Sequence, residues 1–199
     1  DLMGNANGTL FNTPVYSNNS AKYLTMSSAS SNFILTNYIP STTNESVFMW
    51  VYLTGNGVLL SEVGQYGINQ GWHDSQIEIV GGNLKVAVWT ATGYSTVVTV
   101  GAVTRNQWQQ YVLTFNAASG TLTGYINGST TASASGISRL SPMDGYAPQL
   151  YYSLMYPDST SLGDGSGLAG DWSIFRVYNR ALSAAEVLQN YQADSWRYS

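Results

Sequence analysis

GDWSIFRVYNRALSAAEVLQNY, residues 170–191, reads as a β-strand, a tight turn and one short helix almost at the end of the chain. The helix begins after Ser183, where Ser-Ala-Ala-Glu forms a capping box with Ser183 as N-cap and Glu186 at the third helical position. Val187, Leu188 and Tyr191 then share one apolar face. A helix this short is marginal alone, so that face is expected to dock on the rest of the fold and seal it where the last strand ends.

The remainder of the chain reads as strands. Short β-branched and aromatic runs such as AKYLTM, NFILTN, SVFMWVYL, SQIEIV, NLKVAVWT and QQYVLTF alternate with turn signals such as TGNG, VGGN, AASG and INGS. That spacing predicts an all-β antiparallel sandwich of two sheets, a jelly roll, with one short C-terminal helix. In SVFMWVYL, Phe48, Trp50 and Tyr52 point to one face and Met49, Val51 and Leu53 to the other, as in a central strand buried on both sides. In QWQQYVLTF, Trp108 is out of phase with Tyr111, Leu113 and Phe115. Gly81, Gly82 and Asn83 sit between two strand runs, as a hairpin turn with positive φ requires. Ser129–Ser138 is the weakest stretch for regular structure, together with the polar loop Tyr156–Gly167. Residues 1–199 are read as one domain.

Charged residues make up only 9% of the chain, so its surface must hydrogen-bond chiefly through Ser, Thr, Asn, Gly and Tyr. The net charge is −4, and the seven basic residues are scattered singly, which argues against a nucleic-acid partner. There is no cysteine, hence no disulfide, thiol catalysis or Cys-ligated zinc. No apolar run is long enough to cross a bilayer, and a chain starting at Asp1 is expected to be a processed product or an excised module. Asn7, Asn18, Asn44 and Asn127 head Asn-x-Ser/Thr acceptors, which matter only on a eukaryotic secretory route.

Four segments resemble one family. DLMGNANGTLFNTPVY at the start, FMWVYL, NQWQQYVLTFNAASGTLTGYINGS and the terminal GDWSIFRVYNRALSAAEV together are similar to the laminin-G-like, concanavalin A-like jelly-roll domains of bacterial surface proteins, phage structural proteins and large DNA viruses. The resemblance implies that Tyr178 and Leu182 are core, that Asn179 helps the chain turn, and that Arg176 and Arg180 tie this region to nearby carbonyls or carboxylates. It also implies calcium in many members, with glycan or protein ligands at strand-end loops or on the concave face. Some relatives carry two successive acids ahead of the Arg of the last strand; here those places hold Ser173 and Ile174, which removes the carboxylates a calcium site there would use.

Polysaccharide hydrolysis would require two carboxylates about 5 Å apart facing a cleft. The nearest acids along the chain are Glu62, Asp74 and Glu78, and on one extended strand Asp74 and Glu78 share a face roughly 13 Å apart. Catalysis is therefore not expected. His73, the single histidine, has no nucleophile-elbow pattern and no second histidine for a zinc site. Calcium needs six to eight oxygens, and PDSTSLGDGSG offers Asp158 and Asp164 as candidate ligands. Sugar recognition needs aromatic faces beside planar polar groups. QYGINQGWHDSQIE supplies Tyr66, Trp72, His73, Asp74 and Gln76, and the second aromatic stretch DGYAPQLYYSLMY adds Tyr146.

These readings converge on a non-enzymatic module that binds a glycan or a surface protein for attachment, on a cell or virion surface or otherwise outside the cell. The alternative is a structural module of a virion, fibre or surface protein, packed against a second copy or neighbouring proteins.

Overall fold

The computed structural model describes residues 7–27, 32–38, 43–64, 73–140 and 151–199. In chain order the strands are β1 (Gly8–Phe11), β2 (Val15–Ser17), β3 (Tyr23–Met26), β4 (Phe33–Thr36), β5 (Glu45–Leu53), β6 (Gly57–Val63), β7 (His73–Val80) and β8 (Asn83–Val86). They continue as β9 (Trp89–Thr90), β10 (Gly93–Tyr94), β11 (Val98–Ala102), β12 (Trp108–Asn116), β13 (Thr121–Ile126), β14 (Ser129–Ala134), β15 (Tyr151–Leu154) and β16 (Gly170–Tyr178). Helix α1 (Ala184–Ser195) and a single 3-10 turn (Trp196–Tyr198) follow.

Fourteen of these strands form two antiparallel sheets. The first has the order β1-β4-β15-β6-β7-β8-β11, the second β14-β13-β12-β5-β16-β3-β2, and β9 and β10 make a small separate hairpin. The alternation in β5 decides how the layers stack. Met49, Val51 and Leu53 enter the core between the sheets, whereas Phe48 and Trp50 face outward into a second apolar cluster. β12 follows the same rule, with Tyr111, Leu113 and Phe115 in the main core and Trp108 beside the outer cluster. Each fully buried large side chain stabilises the sandwich by about 1.5–3 kcal/mol before entropy is counted.

The outer cluster explains the terminal helix. Val187 is buried against Phe48, Trp50, Val112, Tyr125 and Leu182. The Trp50 indole is stacked by Tyr191 at 5.5 Å and by Tyr198 at 4.4 Å. Both halves of the capping box form: the Glu186 amide donates to Ser183 Oγ, and the Ser183 amide donates to the Glu186 carboxylate at 2.9 Å. Arg176 donates to Asp194 from β16, and Arg180 pairs with Glu186 at 2.7 Å, so both arginines hold the helix. Leu188, expected on the apolar face, is instead 41% exposed. Leu188 lies over the β13–β14 turn rather than over the outer cluster. Gly128 in that turn (φ 76°) makes the room, because a Cβ there would meet Tyr191 at 2.9 Å and Leu188 at 3.1 Å.

Ser129–Ser138 differs from its reading as the weakest stretch. Ser129–Ala134 is an edge strand, registered on β13 with Leu122 opposite Ala134 and Thr123 opposite Ser133. Its backbone pairing, not its own hydrophobicity, makes it a strand, and its small residues let β11 pack against it. One lateral edge of the sandwich is thereby closed. At the opposite edge β1 ends the first sheet and β2 ends the second, and Leu10, Phe11, Val15 and Tyr16 are exposed there. Among the described residues no helix is long and apolar enough to cross a membrane.

Candidate functional site

Of the residues nominated for sugar contact, Tyr66, Trp72 and Tyr146 lie outside the described residues. His73 opens β7, and its Nδ1 lies 2.7 Å from Oδ1 of Asp158. The Thr160 amide donates to the same oxygen at 2.9 Å. Asp158 is fully buried, and burial raises its pKa against the opposing pull of the His73 contact. The fold thus joins two residues proposed for separate tasks, one for sugar and one for calcium.

Asp74 and Gln76 are each only 1% exposed, and Gln76 Nε2 donates to Asp74 Oδ2 at 2.7 Å. Sealed in this way, they present no surface to an external sugar. The cause is a pair of register shifts between β6 and β7: Val58 pairs with Glu78, Leu60 with Ile77 and Ser61 with Ser75, leaving Leu59 and Gln76 as extra residues. Such bulges break strict alternation. Asp74 and Glu78 have different hydrogen-bond partners. Asp74 lies opposite Glu62, near Arg139, while Glu78 accepts amide hydrogens from Leu162, Asp164 and Gly165 at 2.6, 2.5 and 2.7 Å.

Glu78 therefore organises the loop that was nominated for calcium. Within that loop, Asp164 Oδ1 accepts from the amide and hydroxyl of Ser166, while Asp158 is turned towards His73. Among the described residues no group of three or more His, Cys, Asp or Glu is placed to hold a metal, and Asp158 Oδ2 is buried without a hydrogen-bond partner. On the last strand Ser173 donates to the carbonyls of Ala21 and Lys22 at 2.7 and 3.1 Å and accepts from the Tyr198 hydroxyl.

A buried charge cluster links the two sheets through residues that no local pattern brings together. Arg139 donates to Glu45 of β5 at 2.9 Å and to Glu62 of β6, while the Tyr152 hydroxyl donates to Glu45 at 2.7 Å. Burial works against the Arg139 charge, but Glu62, Tyr152 and Glu45 outweigh it and raise its pKa. Burial likewise raises the carboxyl groups of Glu62 and, more strongly, Asp74. These acids are interior groups.

A surface groove lies at the open lateral edge. On the second sheet Tyr16, Leu24 and Trp172 are successive cross-strand neighbours, and on the first sheet Leu10 is paired with Ile34. These rows border a groove of about 370 Å³, whose rim carries Lys22, Tyr23 and Ser173. Tyr16 is 60% exposed and makes no ring contact with another aromatic among the described residues. Tyr23 is instead packed on Trp108 at 5.6 Å. Exposed ring faces beside hydroxyls and an ammonium suit a polar ligand with apolar faces. The clue available in the sequence was NTPVYSNNSAKY, two tyrosine-bearing runs around a polar turn.

The profile of a laminin G family described as the concanavalin A-like lectin/glucanases superfamily matches residues 18–188. The receptor-binding domain of botulinum neurotoxin type G is similar with a TM-score of 0.67 and 16% identity, over 95% of this chain and 46% of that one. The binding domain of Paraclostridial Mosquitocidal Protein 1 gives 0.68 and 18%, over 97% and 49%. Domain 4 of an extracellular arabinanase from Geobacillus stearothermophilus, in complex with arabinotriose, gives 0.63 and 18%, over 94% and 89%. The chain spans about half the length of the two toxin domains, and at these identities the likeness is one of fold. No curated protein matches the chain by sequence.

Proposed function

The chain belongs to the concanavalin A-like lectin/glucanases superfamily, and from that premise we propose that it is a non-enzymatic recognition module for a glycan displayed on a surface. The observation that carries this reading is the open-edge groove with the unstacked Tyr16 ring at its mouth. Sugar rings present C–H faces that pack on aromatic faces, and a site already formed loses little entropy on binding. The arabinanase domain, solved with a sugar, and the toxin receptor-binding domains lend the reading support by analogy of fold. A non-enzymatic reading is supported by the burial of Glu45, Glu62, Asp74 and Glu78, which keeps these four carboxylates from a substrate at the surface. A location outside the cell or on a cell or virion surface belongs to the same reading.

A glycan array probed with calcium and again with chelator tests it. The protein is expected to bind a defined subset of glycans, and Tyr16→Ala to weaken binding about tenfold, equivalent to about 1.4 kcal/mol. Full affinity in Tyr16→Ala would remove the groove from the proposal, and loss confined to Trp72→Ala would move the site to the stretch preceding His73. Chelator is expected to change nothing, because none of the described residues lining the groove is a carboxylate; calcium in the Asp158 and Asp164 loop is the alternative outcome. Loss of binding with chelator would return calcium to that loop. The exposed Leu10, Phe11 and Val15 favour a second reading, an assembly module, which predicts self-association with no glycan bound.

A further inference from the structure

We infer that the open-edge groove selects a carboxylated sugar, a glycan built on hexuronic acid; this rests on the glycan reading of the same groove. The charge balance at the site carries the inference. The molecule as a whole is acidic, with eleven carboxylate residues against seven Lys and Arg. Yet among the described residues that line the groove none is acidic, and the charged one is Lys22. Arg139, Arg176 and Arg180 each have a carboxylate partner within the fold, whereas Lys22 has none among the described residues.

The backbone at Lys22 is also held in an unusual state. Its φ is 49°, in the left-handed region that side chains other than Gly and Asn adopt at a cost. Three hydrogen bonds pin it there: the Lys22 amide donates to the carbonyl and side chain of Asn19, at 3.1 and 3.2 Å, and the Lys22 carbonyl accepts from Ser173 Oγ. Ser173 follows Trp172 directly, so the strand that lines the groove also fixes the residue presenting the charge at its rim. These bonds fix the backbone from which the lysine side chain reaches out.

The ring platform narrows the anion to a sugar acid. A pyranose stacked on Tyr16 keeps its C–H face on the aromatic ring and directs its substituents outward, roughly in the ring plane. A hexuronate carboxylate is such a substituent and reaches towards the rim while the ring stays stacked. A carboxylate without a ring would leave Tyr16, Leu24 and Leu10 unused, and a neutral sugar would leave Lys22 unused.

The experiment measures calorimetric affinity for oligomers of galacturonate, mannuronate and hyaluronan, each alongside its carboxyl-reduced form. Four proteins are compared: wild type, Lys22→Gln, Lys22→Arg and Tyr16→Ala. At least one acidic oligomer is expected to bind wild type about two- to fivefold more tightly than its reduced form, the range an exposed ion pair supplies, and added salt should erode the difference. Lys22→Gln should abolish the difference between the acidic and reduced forms, Lys22→Arg should keep it, and Tyr16→Ala should weaken both forms together. A preference that survives in Lys22→Gln, or equal affinity for acidic and reduced oligomers, overturns this inference and leaves the glycan reading intact. Failure of every oligomer to bind, with self-association that Leu10→Asp abolishes, overturns both and assigns the edge to a second copy.

Discussion

Glu62 and Glu45 pair with one guanidinium, that of Arg139, and Asp74 lies opposite Glu62, so the buried cluster holds more potential negative charge than it can neutralise. The charged groups near Asp74 that disfavour its ionisation are Glu62 and Asp158; Arg139 and Gln76 favour it, and Tyr94 nearby is neutral when Asp74 ionises. Burial dominates and raises the Asp74 carboxyl well above its ordinary value. A folded-state pKa above the unfolded one contributes stability that is full below the unfolded pKa and is lost as pH rises through the folded pKa. The wild type should therefore lose stability on the alkaline side of that transition. Asp74→Asn removes the ionisation and keeps an oxygen for Gln76, so its denaturation midpoint should fall less with rising pH and exceed that of wild type once Asp74 would have ionised. Parallel midpoint-against-pH curves for the two proteins would refute the assignment. Arg139→Met leaves buried carboxylates without their cation and should cost about 3–5 kcal/mol, measured by urea unfolding.

At the scale of elements, the helix N-terminus gives the plainest prediction. Ser183→Ala removes the Oγ that accepts the Glu186 amide, and should cost about 1 kcal/mol in urea unfolding without loss of the fold. That cap was legible in four consecutive residues, and so were the two-faced pattern of β5, the phase of Trp108 and the Gly81–Gly82 turn, because each depends on neighbours within one segment. What escaped depends on pairing. The β6–β7 bulges follow from how two strands register, and Asp74 and Glu78 on the bulged strand have different hydrogen-bond partners. β14 is a strand because β13 lies beside it. Arg139 and Glu45 are 94 residues apart, and no local spacing announces their contact. The groove is harder still to read, since Leu10 and Tyr16 become its opposite walls only when the short β1–β2 connection carries the chain from one sheet to the other.

For the whole molecule, the question is whether the open edge is a ligand site or an assembly surface, and the edge strands bear on it. An exposed strand edge invites pairing with another chain unless it is short, bent or interrupted. β1 has four residues and β2 three, and between them Asn12 and Thr13 have φ near 58° and 56°, followed by Pro14. A β-branched residue in the left-handed region and a proline without an amide hydrogen together deny a partner any long ladder. At the other side β11 carries its own register shift between Thr99 and Gly101, and it packs near β14. Continuous sheet pairing between copies is thus disfavoured at both margins, while the side chains of the groove stay accessible. Sedimentation velocity over a wide concentration range should accordingly show a single monomeric species, unchanged by Val15→Lys. A sedimentation coefficient that climbs with concentration and returns to the monomer value in Val15→Lys would show that side-chain packing alone suffices for association, and would decide for the assembly module over the recognition module.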